Sequence, residues 1–405
     1  MINLKQKTTL KATFSNYLMA ACLLASPPSF AQPTPLTPLP RDQLQTMAAV
    51  FGMINSDLVK DTDPAALIIA GVRGIVREAD PDSGAYLDPK EFDVFKNGST
   101  EPEVTSGLQL EKRDGRIVLQ PMLGGSALVA GVLWGDVLYA VDGKRVANME
   151  PHQVAALLAG PQGSSFSVTV FRESTLTVLT LPVERRPTVS IKPSVTAVAP
   201  GVALLKVPRY RNDTLQDTAA ALKEAWQQDP FRRGLILDLR RSPGGLLSGA
   251  IGLASLFLPE DAVVASTHGR LPASNAKYKA APAFYTGRNE PDPFAGLSAE
   301  LRAVPLAVLI DASTMSGAEI VAAALKDHRR ATLLGQKTWG SGSIQTVRPL
   351  SPTDALKITT AYWFSPNGAR LHGAGVMPDV ILANPGSDSA VQDAVAALSA
   401  SRQAP

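Results

Sequence analysis

Cysteine is nearly absent from this sequence: Cys22 is the only one in 405 residues. A disulfide framework is therefore excluded. No metal-ligand spacing and no glycine-rich nucleotide loop occurs, so no cofactor is expected. No stretch beyond the first thirty residues is apolar for long enough to span a bilayer. Surplus charge is missing as well. The chain carries 39 Lys and Arg against 36 Asp and Glu, and Lys5, Lys7 and Lys11 account for the difference. The remainder is neutral, which leaves no electrostatic case for nucleic acid or an anionic membrane surface.

What is present has ordinary globular composition, 45% apolar and 19% charged. The length suits two or three domains with their own cores. The first 31 residues read as a secretory signal. Lys5, Lys7 and Lys11 form a basic start, YLMAACLLA at residues 17–25 a short apolar run, and Ser29-Phe30-Ala31 a cleavage site after Ala31. Cys22 leaves with this segment, and a thiol-free chain suits an oxidising compartment. The expected location is therefore exported and periplasmic. Lipidation at Cys22 within Met19-Ala20-Ala21-Cys22 is the rival reading, disfavoured because apolar residues continue past the cysteine.

Residues 32–40 are a Pro-rich linker, and the spacing over 42–80 predicts two helices. Residues 32–100 are taken as this linker and helical region. Residues 101–186 change to short apolar strands separated by Gly turns, with Asp142-Gly143 as a hairpin signal and one helix near Glu150–Leu158. A compact, partly open barrel is expected there. Residues 187–385 alternate strands with helices. Strands are expected at 202–207, 234–239, 306–311 and 355–364, and helices at 214–227, 246–257 and 316–328. The alternation predicts an α/β layer around a largely parallel sheet. Residues 270–298 are expected as a polar surface excursion, and 386–405 as a short terminal helix and tail.

Two segments could carry chemistry. In GLILDLRRSPGGLL, residues 234–247, a buried strand runs into a Pro-Gly-Gly turn before a helix. Glycines there free backbone N–H groups to face outward and hold an oxyanion; alone, the segment is equally a plain strand–turn–helix. In VLIDASTMSGAEIVAAALKD, residues 308–327, a second strand ends in a small-residue turn and a helix starts at Ser316. A serine beside a helix N-terminus faces a field that favours developing negative charge. Ser316 and Glu319 are equally a capping box.

Taken in order, these segments resemble the C-terminal processing, or tail-specific, serine peptidases. TWGSGSIQ (338–345), GARLHGAGVMPD (368–379) and SGAYLDPKEF (83–92) extend the resemblance over roughly residues 60–385. SALVAGVLWGDVLYAVDGKRV (126–146) and Thr105-Ser106-Gly107-Leu108 resemble the family's PDZ domain and its carboxylate-binding loop. The resemblance implies a multidomain α/β protein: a crotonase/ClpP-like peptidase core at 187–385 with an inserted PDZ domain at 101–186. It implies Ser316 as nucleophile, the amides of Gly244 and Gly317 as oxyanion hole, Gln345 as a supporting residue, and Ser106, Gly107 and Leu108 as peptide-binding residues. The partners it implies are proteins or peptides bound through their C-termini, with self-association or a periplasmic adaptor as further partners.

One position departs from the pattern. The family's lysine base follows the nucleophile by twenty-five residues, and here that position is Ser341, in Trp339-Gly340-Ser341-Gly342. A serine hydroxyl is no general base near neutral pH, though it can relay a proton. Lys337, His372 and His328 are the candidate substitutes. Lys337 lies four residues upstream, about 13 Å on an extended strand. The sequence thus supports a serine endopeptidase, or a non-catalytic adaptor that binds protein tails. A crotonase-like thioester enzyme is disfavoured by the PDZ-like segment and the signal.

Overall fold

The computed structural model describes residues 40–97, 106–288 and 290–401. The secretory signal, Cys22, most of the linker and Thr105 lie outside them.

Near-continuous apolar runs demand burial on both faces. Four of them, Val202–Lys206, Gly234–Asp238, Leu306–Ile310 and Thr332–Gly335, pair in parallel as adjacent strands. Val380–Ile381 extends the sheet in parallel at one end, and Ser194–Ala199 adds an antiparallel edge at the other. One face is covered by the helices Thr214–Gln228, Leu247–Ser255 and Gly317–Asp327, which share the largest apolar cluster with the sheet. The opposite face is covered by Ser389–Ser401. Its Ala390, Ala394 and Leu398 recur every four residues and pack on Ile236, Ala307, Leu309 and Leu334. The short terminal helix expected within 386–405 is therefore part of the core.

Residues 355–364, expected in this layer, lie elsewhere. Ala355–Phe364 is the centre of a second, antiparallel sheet with Ser343–Pro349, Val263–Gly269 and Ala85–Leu87. Lys357, Thr359 and Thr360 interrupt the apolar run that two-sided burial requires. The 270–298 excursion contributes Ala276–Lys279 to that sheet and buries Phe294 to 1% exposure, so it is tied to the core. Ala85–Leu87 binds the N-terminal region into the same sheet. Two helices, Arg41–Asp57 and Pro64–Ala79, precede it.

The third sheet spans Leu108–Arg113, Arg116–Pro121, Val137–Val141, Ser165–Arg172 and Thr177–Glu184, inserted in the chain between strands of the second. Asp142 and Gly143 both have positive φ, 47° and 75°, as a two-residue hairpin turn requires. Leu108–Arg113 is an edge strand, with helix Pro151–Leu158 packed beside it.

Candidate active site

Adjacent parallel strands in register end at the same side of a sheet, so the turns that follow them are neighbours. Gly234–Asp238, Leu306–Ile310 and Thr332–Gly335 are three such strands. Their turns are laced together. Met315 N–H donates to Ser242 O at 3.1 Å, and Trp339 N–H donates to Thr314 O at 3.0 Å. The Thr314 hydroxyl donates to Leu239 O at 2.9 Å. Sheet topology alone thus brings Gly244, Ser316 and Ser341 to one place.

Ser316 sits at the tip of the middle turn with φ 54° and ψ −122°, a backbone state that L residues rarely occupy. It remains partly exposed while its neighbours Met315 and Gly317 are buried. Gly317 opens the helix Gly317–Asp327, whose N-terminal field is positive. Gly244 has φ 74°, and a Cβ there would stand 2.5 Å from Gly317 N and 2.9 Å from Met315 O. Only glycine allows the two turns to approach this closely. Neither Gly244 N nor Gly317 N donates to a main-chain carbonyl among the described residues. Two uncommitted amides beside a strained serine hydroxyl suit a tetrahedral oxyanion.

Beneath this turn lies Glu319, fully buried. One carboxylate oxygen accepts Ser316 N–H at 2.9 Å and Ser341 N–H at 2.8 Å. The two amide nitrogens are therefore no more than about 6 Å apart. The other oxygen accepts the Thr338 hydroxyl at 2.5 Å and Gly340 N–H at 2.6 Å. Burial pushes the Glu319 pKa up to about 7, against the pull of these four donors. The folded chain then holds a proton there between about pH 4.5 and 7 that the unfolded chain releases. This group's contribution to stability is largest below pH 4.5 and is lost as pH rises to 7. Glu319→Gln should flatten the urea-unfolding stability profile over that window. Glu319→Ala strands four buried donors and should destabilise by about 3 kcal/mol or more, read from the same titrations.

Glu319 was legible only as the partner in a capping box with Ser316, which is present. Its hold on the 338–341 loop is a tertiary contact that local sequence does not signal. Gln345 lies on the strand after that loop and donates to Ser343 Oγ at 2.8 Å and Ser83 Oγ at 3.3 Å. Of the three candidate bases, Lys337 is exposed, next to the inward-turned Thr338. His328 caps the far end of the helix Gly317–Asp327, about 18 Å from Ser316, and contacts Val263 O at 2.8 Å. His372 packs against the loop: a Cβ on Gly342 would stand 2.5 Å from His372 N.

In the third sheet, Ser106 and Gly107 have φ of 52° and 72°, and Leu108 begins the edge strand. Ser106 is fully buried with its hydroxyl on Glu184 O at 3.2 Å, and Gly107 and Leu108 are buried beside it. The same edge strand touches the Ser341 loop, a contact sequence reasoning missed. Trp339 Nε1 donates to a Glu111 carboxylate oxygen at 2.7 Å, Arg113 donates to Trp339 O at 3.0 Å, and the Arg113 guanidinium lies 3.7 Å from the Trp339 ring centroid. Burial raises the Glu111 pKa despite Arg113 beside it.

Known proteins resemble this chain in sequence and in fold. A model of Peptidase family S41 matches residues 201–382, and a PDZ domain model matches residues 117–172. A carboxy-terminal-processing protease of Bartonella bacilliformis is 29% identical over 346 residues, 85% of this chain and 76% of that protein. A "Probable CtpA-like serine protease" of Staphylococcus haemolyticus is 26% identical over 351 residues, 86% of this chain and 67% of that one. The solved structure of a photosystem II D1 C-terminal processing protease has the same fold, with a TM-score of 0.69 at 24% identity over 87% of this chain and 95% of that one. A PDZ domain joined to a serine-type peptidase domain implies protein or peptide substrates. Residues 201–382 thus match a Peptidase family S41 domain that follows a PDZ domain, and the chain resembles the C-terminal processing serine peptidases.

Proposed function

We propose that this chain is an exported serine endopeptidase that cuts proteins near their C-termini through an acyl-enzyme on Ser316. The observation that carries this is the strained serine at 316 beside the amides of Gly244 and Gly317, with a glycine at 244 that nothing larger can replace. Ser316 Oγ attacks the scissile carbonyl as its proton leaves. The carbonyl oxygen becomes an oxyanion between the two amides, in the field of the helix N-terminus. Collapse expels the amine of the downstream segment, and water later releases the acyl group.

Substrate choice falls to the inserted domain. Its edge strand Leu108–Arg113 can accept an extended tail as an added strand, and the main-chain N–H groups of Ser106, Gly107 and Leu108 can hold the terminal carboxylate. The Glu111 and Arg113 contacts to Trp339 put that strand in touch with the Ser341 loop. The basic start and short apolar run of residues 1–31 support export, with cleavage after Ala31.

The test is covalent labelling of residues 32–405 with a fluorophosphonate, read by peptide mapping, beside a tail-peptide cleavage assay. Labelling at Ser316 that disappears in Ser316→Ala, together with cleavage, is the expected result. A chain that binds tail peptides at the inserted domain and labels nowhere is an adaptor, and the proposal fails.

A further inference from the structure

A serine where the family has its lysine leaves the proposed reaction without a proton acceptor, and the surroundings of Ser341 contain one. The loops 338–342 and 371–376 run side by side. Gly373 N–H donates to Gly340 O at 2.9 Å, and His372 N is the nearest atom to a Cβ placed on Gly342. His372 is thus flanked by the residues on either side of Ser341. Its ring stacks on Tyr362, with centroids 5.0 Å apart and planes at 29°. Tyr362 is the register partner of Ser343, and Ser343 shares a face with its hydrogen-bond partner Gln345. Ser341 lies two residues before Ser343, just outside the strand Ser343–Pro349. The His372 ring and Ser341 are therefore neighbours at this end of the sheet. The His372 Nδ1 is buried and makes no hydrogen bond among the described residues. An unsatisfied buried ring nitrogen is costly in a purely structural histidine.

We infer that His372 is the terminal proton acceptor for Ser316, reached through the Ser341 hydroxyl. The inference rests on the acyl-enzyme reading above. As Ser316 Oγ bonds to the scissile carbon, its proton passes to Ser341 Oγ, and the Ser341 proton passes to His372 Nδ1. The reverse transfer delivers a proton to the departing amine, so no proton is gained or lost over acylation. Nδ1 and the Ser341 hydroxyl draw into hydrogen-bond distance as substrate closes the site, as resting serine enzymes commonly require.

The charged groups around the ring suit this role. Burial, with Arg370 on its own segment and Arg113 from the inserted domain, lowers the His372 pKa below the usual histidine value. Asp80 and Asp82 at the end of helix Pro64–Ala79 oppose that shift, and Glu319 lies beneath the loop. The ring is then neutral, and able to accept, at neutral pH.

The test uses fluorophosphonate labelling and tail-peptide cleavage across pH in wild type, His372→Ala, Ser341→Ala, Ser341→Lys and Ser341→Lys/His372→Ala. His372→Ala should slow both rates about a hundredfold or more, and added imidazole should restore part of the loss. In the Ser341→Lys background, where an amine replaces the relay, the same change should cost less than about threefold. That double variant also reports whether the chain without His372 folds. Wild type that labels at Ser316 while His372→Ala stays within about twofold of it overturns the relay and leaves the acyl-enzyme reading standing. Wild type that never labels overturns both.

Discussion

Replacing Ser341 by lysine should raise tail-peptide hydrolysis about a hundredfold or more. The Ser341 amide shares a Glu319 oxygen with the Ser316 amide, so the two residues are held together by a carboxylate they both bond. A longer side chain at 341 therefore starts from an amide no more than about 6 Å from that of Ser316. Ser341 is only partly exposed, and Arg113 and His372 lie close by. Partial burial beside a guanidinium depresses a lysine pKa, which supplies the neutral amine that a base requires. The gain should appear in kcat, with KM little changed, because the inserted domain that selects the tail is untouched. Steady-state cleavage of one tail peptide by both forms checks it. Equal rates would mean that the 338–342 loop does not face Ser316 as described.

Gly244→Ala should abolish most of the activity in the other direction. Its methyl would stand 2.5 Å from the Gly317 nitrogen, in the space where the oxyanion would be held, and would require alanine at φ 74°. Loss of one oxyanion donor costs about 10²–10³ in kcat, and blocking the second adds to it. Gly115→Ala separates the site effect from backbone strain. Gly115 has nearly the same φ, 73°, but a Cβ there meets nothing within 4 Å. Both variants should lose about 1 kcal/mol from the left-handed backbone, Gly244→Ala should lose more because its methyl also meets main-chain atoms, and only Gly244→Ala should lose turnover in the fraction that stays folded. Parallel falls in cleavage for both would place the Gly244 effect in folding.

The parts of this molecule legible in sequence are those set by near neighbours. The runs at 202–206, 234–238 and 306–310 are apolar at almost every position, which only a strand buried on both faces requires. Their turns announce themselves by Pro243-Gly244-Gly245 and Ser316-Gly317, and parallel register then brings the turns together. Residues 355–364 misled because a strand's apolar content does not say which sheet receives it; pairing with 343–349 and 85–87 is a long-range choice. The final helix was expected, but not its place in the core, because alanine gives little local signal of burial, although Ala390 and Ala394 fill close contacts against the sheet. Glu319 shows the same limit at the site. Its bond to Ser316 N spans three residues and was legible as a capping box. Its bonds to Thr338, Gly340 and Ser341 span 19 to 22 residues and depend on the folded sheet. The contact of Glu111 with Trp339 spans 228 residues and joins two domains, which no local pattern reveals.

The structure of the chain trapped with a peptidyl phosphonate would test the site at atomic level. Phosphorus should be bonded to Ser316 Oγ, with the phosphoryl oxygen about 2.7–3.1 Å from both Gly244 N and Gly317 N. Phosphorus on another residue, or a phosphoryl oxygen turned away from both amides, would contradict the account.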